Sequence, residues 1–358
     1  MRGCEGERAM IPTGSAMPAC RCRVGVGWPR PRRQSAPVLA VLQVTFPFFA
    51  LVLCGYVAAR RRMLPLEAIG GLNSFVLFFA LPCMLYRFGA NTPIAQLLDW
   101  AAFLVYLPCA LVMVAGTIAF SLGPRIRWND AAFGALVAAF PNTGFMGVPL
   151  LVALLGPAAA GPAILTILID LVITTSLCIG LSRMDGAGEH GAAHAARKAL
   201  RGIATNPMPW AIALGAASSA LGLMPLPPIM ATLGLLADAA SPVALFTIGA
   251  VLARSQVVAA AREQAPMPPM DFLPVVVAKL LVHPVLVLWA GLVAAAAGVP
   301  LDRFALTVMV LVAALPSASN VSVLAERFGA DNGRIARIIL LTTAAAFFTF
   351  SGAVALIR

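Results

Sequence analysis

Charge is what this sequence has least of. Its 358 residues include 14 acidic and 25 basic ones, so charged side chains make up 11% of the chain. A soluble domain of this size carries about 25%, and the polar surface that water demands is missing here. Histidine is nearly absent, at 3 residues, and the His-Glu-x-x-His pattern does not occur, which leaves little for metal chemistry. No phosphate-cradling Gly-rich loop followed by Lys occurs, so the chain is not in itself an ATP-driven pump. Ser317 and Ser319, even taken with His283, lack a nucleophile-elbow pattern. No enzymatic activity, metal or cofactor is therefore expected. The 7 cysteines give no disulfide framework. Cys54, Cys83, Cys109 and Cys178 lie in apolar runs as small hydrophobes, and Cys20-x-Cys22 lacks a second ligand pair.

What is present is apolar length. Hydrophobic residues make up 61% of the chain, gathered into stretches of about twenty residues, each able to cross about 30 Å of hydrocarbon. The pattern predicts spans at 37–59, 66–89, 96–121, 130–155, 161–182, 206–223, 227–253, 272–297, 302–326 and 334–357. Each must be helical, because lipid offers no partner to backbone polar groups. The net charge of +11 does not indicate nucleic acid, since the arginines sit in short gaps and form no basic groove. They alternate instead. Arg60, Arg61, Arg62, Arg125, Arg127, Arg183, Arg197, Lys198, Arg201, Arg254, Arg262, Arg327, Arg334 and Arg337 follow odd-numbered spans, against Arg87, Arg303 and Arg358 on the other side. Cytoplasmic loops are the basic ones, so both ends of the helical core are expected outside.

Residues 1–37 break this alternation with Arg2, Arg8, Arg21, Arg23, Arg30, Arg32 and Arg33. The expectation is a disordered basic extension that is largely an artefact of start-site choice, with Val38 as the candidate start. A genuine basic tail is the alternative.

The spans repeat. Pro47 and Gly55 recur as Pro207 and Gly215, a shift of 160. PCMLYRFGA (82–90) and PVALFTIGA (242–250) align at the same shift, with Tyr86 opposite Phe246. Pro108 aligns with Pro284 at 176, and VAAFPNTG (137–144) with VAALPSAS (312–319) at 175. Two units of five spans follow, 38–182 and 206–358, joined by a cytoplasmic loop at 183–205. Five is odd, so the second unit enters the membrane from the opposite side. The expected fold is an all-α membrane protein of ten transmembrane helices in two inverted five-helix repeats, the plan of many secondary transporters.

Pro141 and Pro316 fall near the centres of spans four and nine. Each removes a helix hydrogen bond and clashes with the preceding turn. Asn142, Thr143 and Gly144 follow one break; Ser317, Ser319 and Asn320 follow the other. A broken helix offers N–H groups and a partial positive charge at the start of its second half. Two such starts brought together make a seat for an anion, and these six residues are the candidate substrate ligands. The bland alternative is a packing kink with small residues easing helix approach.

AFPNTGFMGVPL (139–150) resembles the fourth-helix signature of the auxin efflux carrier family, and ALPSASNVSVLAERFGAD (314–331) its ninth-helix counterpart. TNPMPWAIALG, SPVALFTIGAVL and KLLVHP resemble the sixth, seventh and eighth helices. The likeness covers residues 38 to 358. It implies crossed, broken helices, an elevator-like movement of one domain against another, and transport of organic carboxylates across a bacterial inner membrane; some bacterial members are described as malonate transporters. The 183–205 loop is shorter than that of many plant members.

Ionisable residues inside spans are costly and often have a task. Asp170 and Asp238 lie near the middles of spans five and seven; Lys279 and His283 lie four apart on one face of span eight. Asp or His could carry a coupling proton, and Lys279 could attract a carboxylate. The alternatives are a structural pair of Lys279 with Asp238 and a packing role for His283. Arg87 is expected to snorkel to the headgroups. The expected partners are a small organic anion, a proton or sodium ion, the bilayer and, as an admissible assembly, a second copy. Sodium coupling and a non-transporting receptor or scaffold are the competing readings.

Overall fold

The computed structural model describes residues 37–92, 99–183, 207–261 and 267–357. The basic extension expected at 1–37, apart from its last residue, lies outside them, as does nearly all of the 183–205 loop. The described residues are helical with short connections: α1 (Pro37–Arg60), α2 (Ala68–Asn91), α3 (Trp100–Ser121), α4 (Trp128–Ala139), α5 (Val148–Leu155), α6 (Pro157–Leu181), α7 (Pro207–Leu221), α8 (Pro227–Ala261), α9 (Leu273–Ala296), α10 (Arg303–Ala313), α11 (Asn320–Arg327) and α12 (Asn332–Ile357). Six helices (α2, α3, α6, α8, α9 and α12) contain a stretch long and apolar enough to cross a membrane. Their outer faces present Phe78, Trp100, Leu235, Trp289 and Phe348, an apolar surface suited to lipid rather than water.

Local chemistry sets the helix ends. Proline opens α1, α6, α7 and α8, where its missing N–H is no loss. The Asp99 carboxylate accepts from Ala101 N–H at 3.0 Å and Ala102 N–H at 3.1 Å, capping α3; Asp302 caps α10 through Phe304 N–H at 3.2 Å.

α1 lies along α8, and α2 along α7 and α8. Backbones touch there because glycines leave room. A Cβ added to Gly55 would collide with the Phe246 carbonyl, and one on Gly249 with the Val52 carbonyl. Likewise Gly215 abuts the Tyr86 carbonyl and Gly89 the Ile212 carbonyl. Shifting every residue number of one contact by 160 gives another member of the set. Outside this group, α3 packs on α4 and α9, α10 on α6 and α9, and α12 on α1, α8 and α11.

Four helical stretches widen into π turns: Val76–Ala80, Thr143–Gly147, Ile169–Thr174 and Ala278–Val282. Such turns often mark functional positions, and the last two carry Asp170 and Lys279.

A buried arginine ties the ends of several helices together. Arg334, 2% exposed, donates from Nε to the Asp271 carbonyl at 2.6 Å and from Nη1 to the Asp130 carbonyl at 2.8 Å. Gly134 faces its guanidinium, with no room for a side chain between them. The alternation of basic residues counted Arg334 as a topology signal; its burial makes it a structural clamp as well.

Candidate functional site

α4 stops at Ala139 and α10 at Ala313, each just before its proline. The chain then runs without helix through residues 140–142 and 314–319, and the two stretches meet. Asn142 N–H donates to the Pro316 carbonyl at 2.8 Å, and Ala318 N–H donates to the Phe140 carbonyl at 2.9 Å. Pro141 and Ser317 thus face each other as an antiparallel bridge. Exposed backbone groups inside a membrane protein must find partners, and each break supplies them to the other. A third element joins in: Ser317 N–H donates to Thr342 Oγ1 of α12 at 3.3 Å.

The crossing pairs these backbone groups but leaves several side chains without partners among the described residues. Thr143 and Ser317 are fully buried and Asn142 is 4% exposed. Thr143 Oγ1, Ser317 Oγ and Asn320 Oδ1 are buried atoms with no hydrogen-bond partner among the described residues. Unpaired buried polar atoms cost free energy, so a cluster of them points to a missing partner. Gly144, Ser319 and Asn320 are half-buried.

A cavity opens beside the crossing. Asn73 and Val76 of α2, Thr247 and Arg254 of α8, Phe145, Ser319, and Ser322 and Glu326 of α11 line it. It therefore lies between the glycine-packed group and the second halves of the interrupted helices. Of the sequence candidates, Ser319 reaches its wall. Arg254, Asn73 and Thr247 were not singled out. Arg254 read as a loop arginine because it closes an apolar run, while an asparagine and a threonine in apolar runs are the only trace the other two leave.

The ionisable candidates separate. Asp170 accepts from Tyr106 OH at 2.9 Å and from Thr174 Oγ1 at 3.1 Å. Lys279 Nζ lies 3.0 Å from His283 Nδ1 and donates to the Ala313 carbonyl at 3.1 Å. Tyr106 and His283 bring the two parts together, with ring centroids 6.1 Å apart. Asp170, Lys279 and His283 are all fully buried. Asp238 is elsewhere: it pairs with Arg87 of α2 at 2.6 Å, its side chain 69% exposed. A Lys279–Asp238 pair is therefore not formed, and Arg87 finds a carboxylate rather than only headgroups.

A many-helix membrane protein with two interrupted helices joined at their breaks, beside a partly polar cavity, has the architecture of a membrane carrier. Residues 40–354 match the family described as "Membrane transport protein", and the chain belongs to that family, which includes the auxin efflux carriers. It is 30% identical over 323 residues to the "Putative malonate transporter" of Rhizobium meliloti (strain 1021), covering 88% of this chain and 95% of that protein. It is 27% identical over 288 residues to the "Uncharacterized transporter YfdV" of Escherichia coli (strain K12), covering 79% and 86%. It is also 27% identical over 155 residues to "Auxin efflux carrier component 3a" of Oryza sativa subsp. japonica, covering 41% and 24%. These relatives are named as transporters or carriers, and the family is a transport family, not an enzymatic one.

Proposed function

We propose that this protein is a secondary active carrier of small organic anions, carboxylates such as malonate, driven by protons across the bacterial inner membrane. The observation that carries the reading is the crossing: two interrupted helices exchange backbone hydrogen bonds and leave Thr143, Ser317 and Asn320 with buried oxygens that have no partner among the described residues. The anion sits against Asn142, Thr143, Gly144, Ser317, Ser319 and Asn320. It takes N–H and hydroxyl donors and the positive end of the α11 dipole. Arg254, on the cavity wall, supplies a charge for a second carboxylate.

Ten spans in two inverted repeats, 38–182 and 206–358, underlie this site. The interchange of contacts at a shift of 160 supports them: Gly55 meets Phe246 while Gly215 meets Tyr86, and Gly89 meets Ile212 while Gly249 meets Val52. α1, α2, α7 and α8 serve as a frame, and the remaining helices carry the substrate past it.

Reconstituted vesicles test the proposal. Uptake of labelled malonate should persist without sodium and collapse with a protonophore. Strict sodium dependence overturns the proton coupling, and absence of flux for every small carboxylate overturns the carrier reading.

A further inference from the structure

The crossing and the buried ionisable cluster touch at one atom. Ala313 is the last residue of α10. In an unbroken helix its carbonyl would accept from the N–H of residue 317, but Ser317 N–H is turned to Thr342. Lys279 Nζ fills the gap, donating to the Ala313 carbonyl at 3.1 Å. A cation at the carbonyl end of a helix suits its dipole. This one is fully buried, and no carboxylate oxygen among the described residues lies within 4.0 Å of it.

The groups facing Lys279 fix what it can do. From α9 itself comes His283, whose Nδ1 lies 3.0 Å away and whose Nε2 is buried without a partner among the described residues. Asp170 of α6 lies next, bound to Tyr106 of α3, and those two helices also carry the buried thiols Cys178 and Cys109. α10 contributes the Ala313 carbonyl. The ionisable side chains of α12 and α4, namely Arg334, Arg337 and Asp130, lie in the first two turns of those helices. Two hydroxyls donate to Asp170, the pattern of an ionised acceptor. With Lys279 as an ammonium the cluster is neutral. With Lys279 as an amine it carries one negative charge.

We propose that the coupling proton is carried on Lys279 Nζ, and that its presence there sets the affinity of the crossing for an anion. This deepens the carrier reading and rests on it. One N–H bond forms on the amine as one O–H bond of a hydronium ion breaks, and the reverse exchange returns the proton to water; no other covalent bond changes. The contact with His283 survives both states, because Nζ can donate to Nδ1 or accept from Nδ1–H. The bond to Ala313 loses its charge assistance when the proton leaves, and the negative charge left on Asp170 then repels an anion a few residues away. Proton and anion therefore bind together and travel in the same direction. By linkage, each strengthens the other by the same factor, expected at roughly tenfold.

The test uses purified full-length protein in weakly buffered detergent, with malonate as the probe and a pH-indicating dye as the readout. The wild type should take up about one proton per malonate bound at the alkaline side of the range, with affinity falling about tenfold as pH rises. Lys279→Gln should bind malonate without proton uptake and without pH dependence. His283→Gln should keep the uptake. The inference falls if Lys279→Gln retains the uptake, if His283→Gln loses it, or if the wild type binds malonate and takes up none. Should Lys279→Gln fail to fold, Lys279→Arg takes its place: a guanidinium keeps its proton at any working pH, so proton uptake and pH dependence should vanish, and their retention overturns the inference. A wild type that binds no small carboxylate at all refutes the carrier reading, and this inference with it.

Discussion

Asn142 stands at the crossing, where the proposed substrate site and the backbone draw on the same few atoms. Its N–H is spent on Pro316, and in the proposed site its carboxamide meets the substrate. Removing one hydrogen bond to a charged ligand costs about 1.5–3 kcal/mol. Asn142→Ala should therefore lower the apparent affinity for malonate roughly tenfold or more in vesicle uptake, with membrane insertion unchanged. Arg334 makes the opposite kind of prediction. Arg334→Ala deletes two short bonds from a buried guanidinium and should destabilise the fold by roughly 3 kcal/mol at about 1.5 each. Thermal unfolding in detergent should register the loss even where malonate stabilises the protein. These two residues also mark what can be read from a sequence. A Pro-Asn pair inside an apolar run leaves a polar side chain that a packing kink does not need, so Asn142 stands out. An arginine just before an apolar run has an excuse, positive-inside topology, and the carbonyls it binds come from residues 130 and 271, far away in the chain. Tyr106 was hidden for the same reason: nothing in its own neighbourhood announces Asp170.

Elements were more legible than contacts. Pro141 and Pro316 marked both interruptions, because proline's effect on a helix is local. The pairing of the two breaks required long-range geometry, and the spacing of the repeats was the only hint. The π turns around Asp170 and Lys279 left no pattern in the residues, since one extra residue per turn changes no composition. The glycines of α1, α2, α7 and α8 were seen only as markers of the repeat; the structure gives them a task, the contact of backbone with backbone. Gly249→Val tests it. Any Cβ there meets the Val52 carbonyl, and overpacking of this sort costs typically 1–3 kcal/mol, occasionally more. The variant should lose thermal stability by at least about that much, while Gly116→Val, on α3 with open space at its Cβ, should not.

At the scale of the molecule, the sequence foretold a helical membrane protein because water-facing surface was missing from its composition. Arginine alternation adds an expected orientation, with Arg254 toward the cytoplasm. The close pairings then carry a consequence for the chain as a whole. α1 belongs to the first half and grips α8 of the second; α7 belongs to the second and grips α2 of the first. The two halves are clasped crosswise, like folded hands, and neither holds a finished surface alone. A chain severed between Leu181 and Pro207 should still purify as one particle when both pieces are made together, and each piece made alone should aggregate or be degraded.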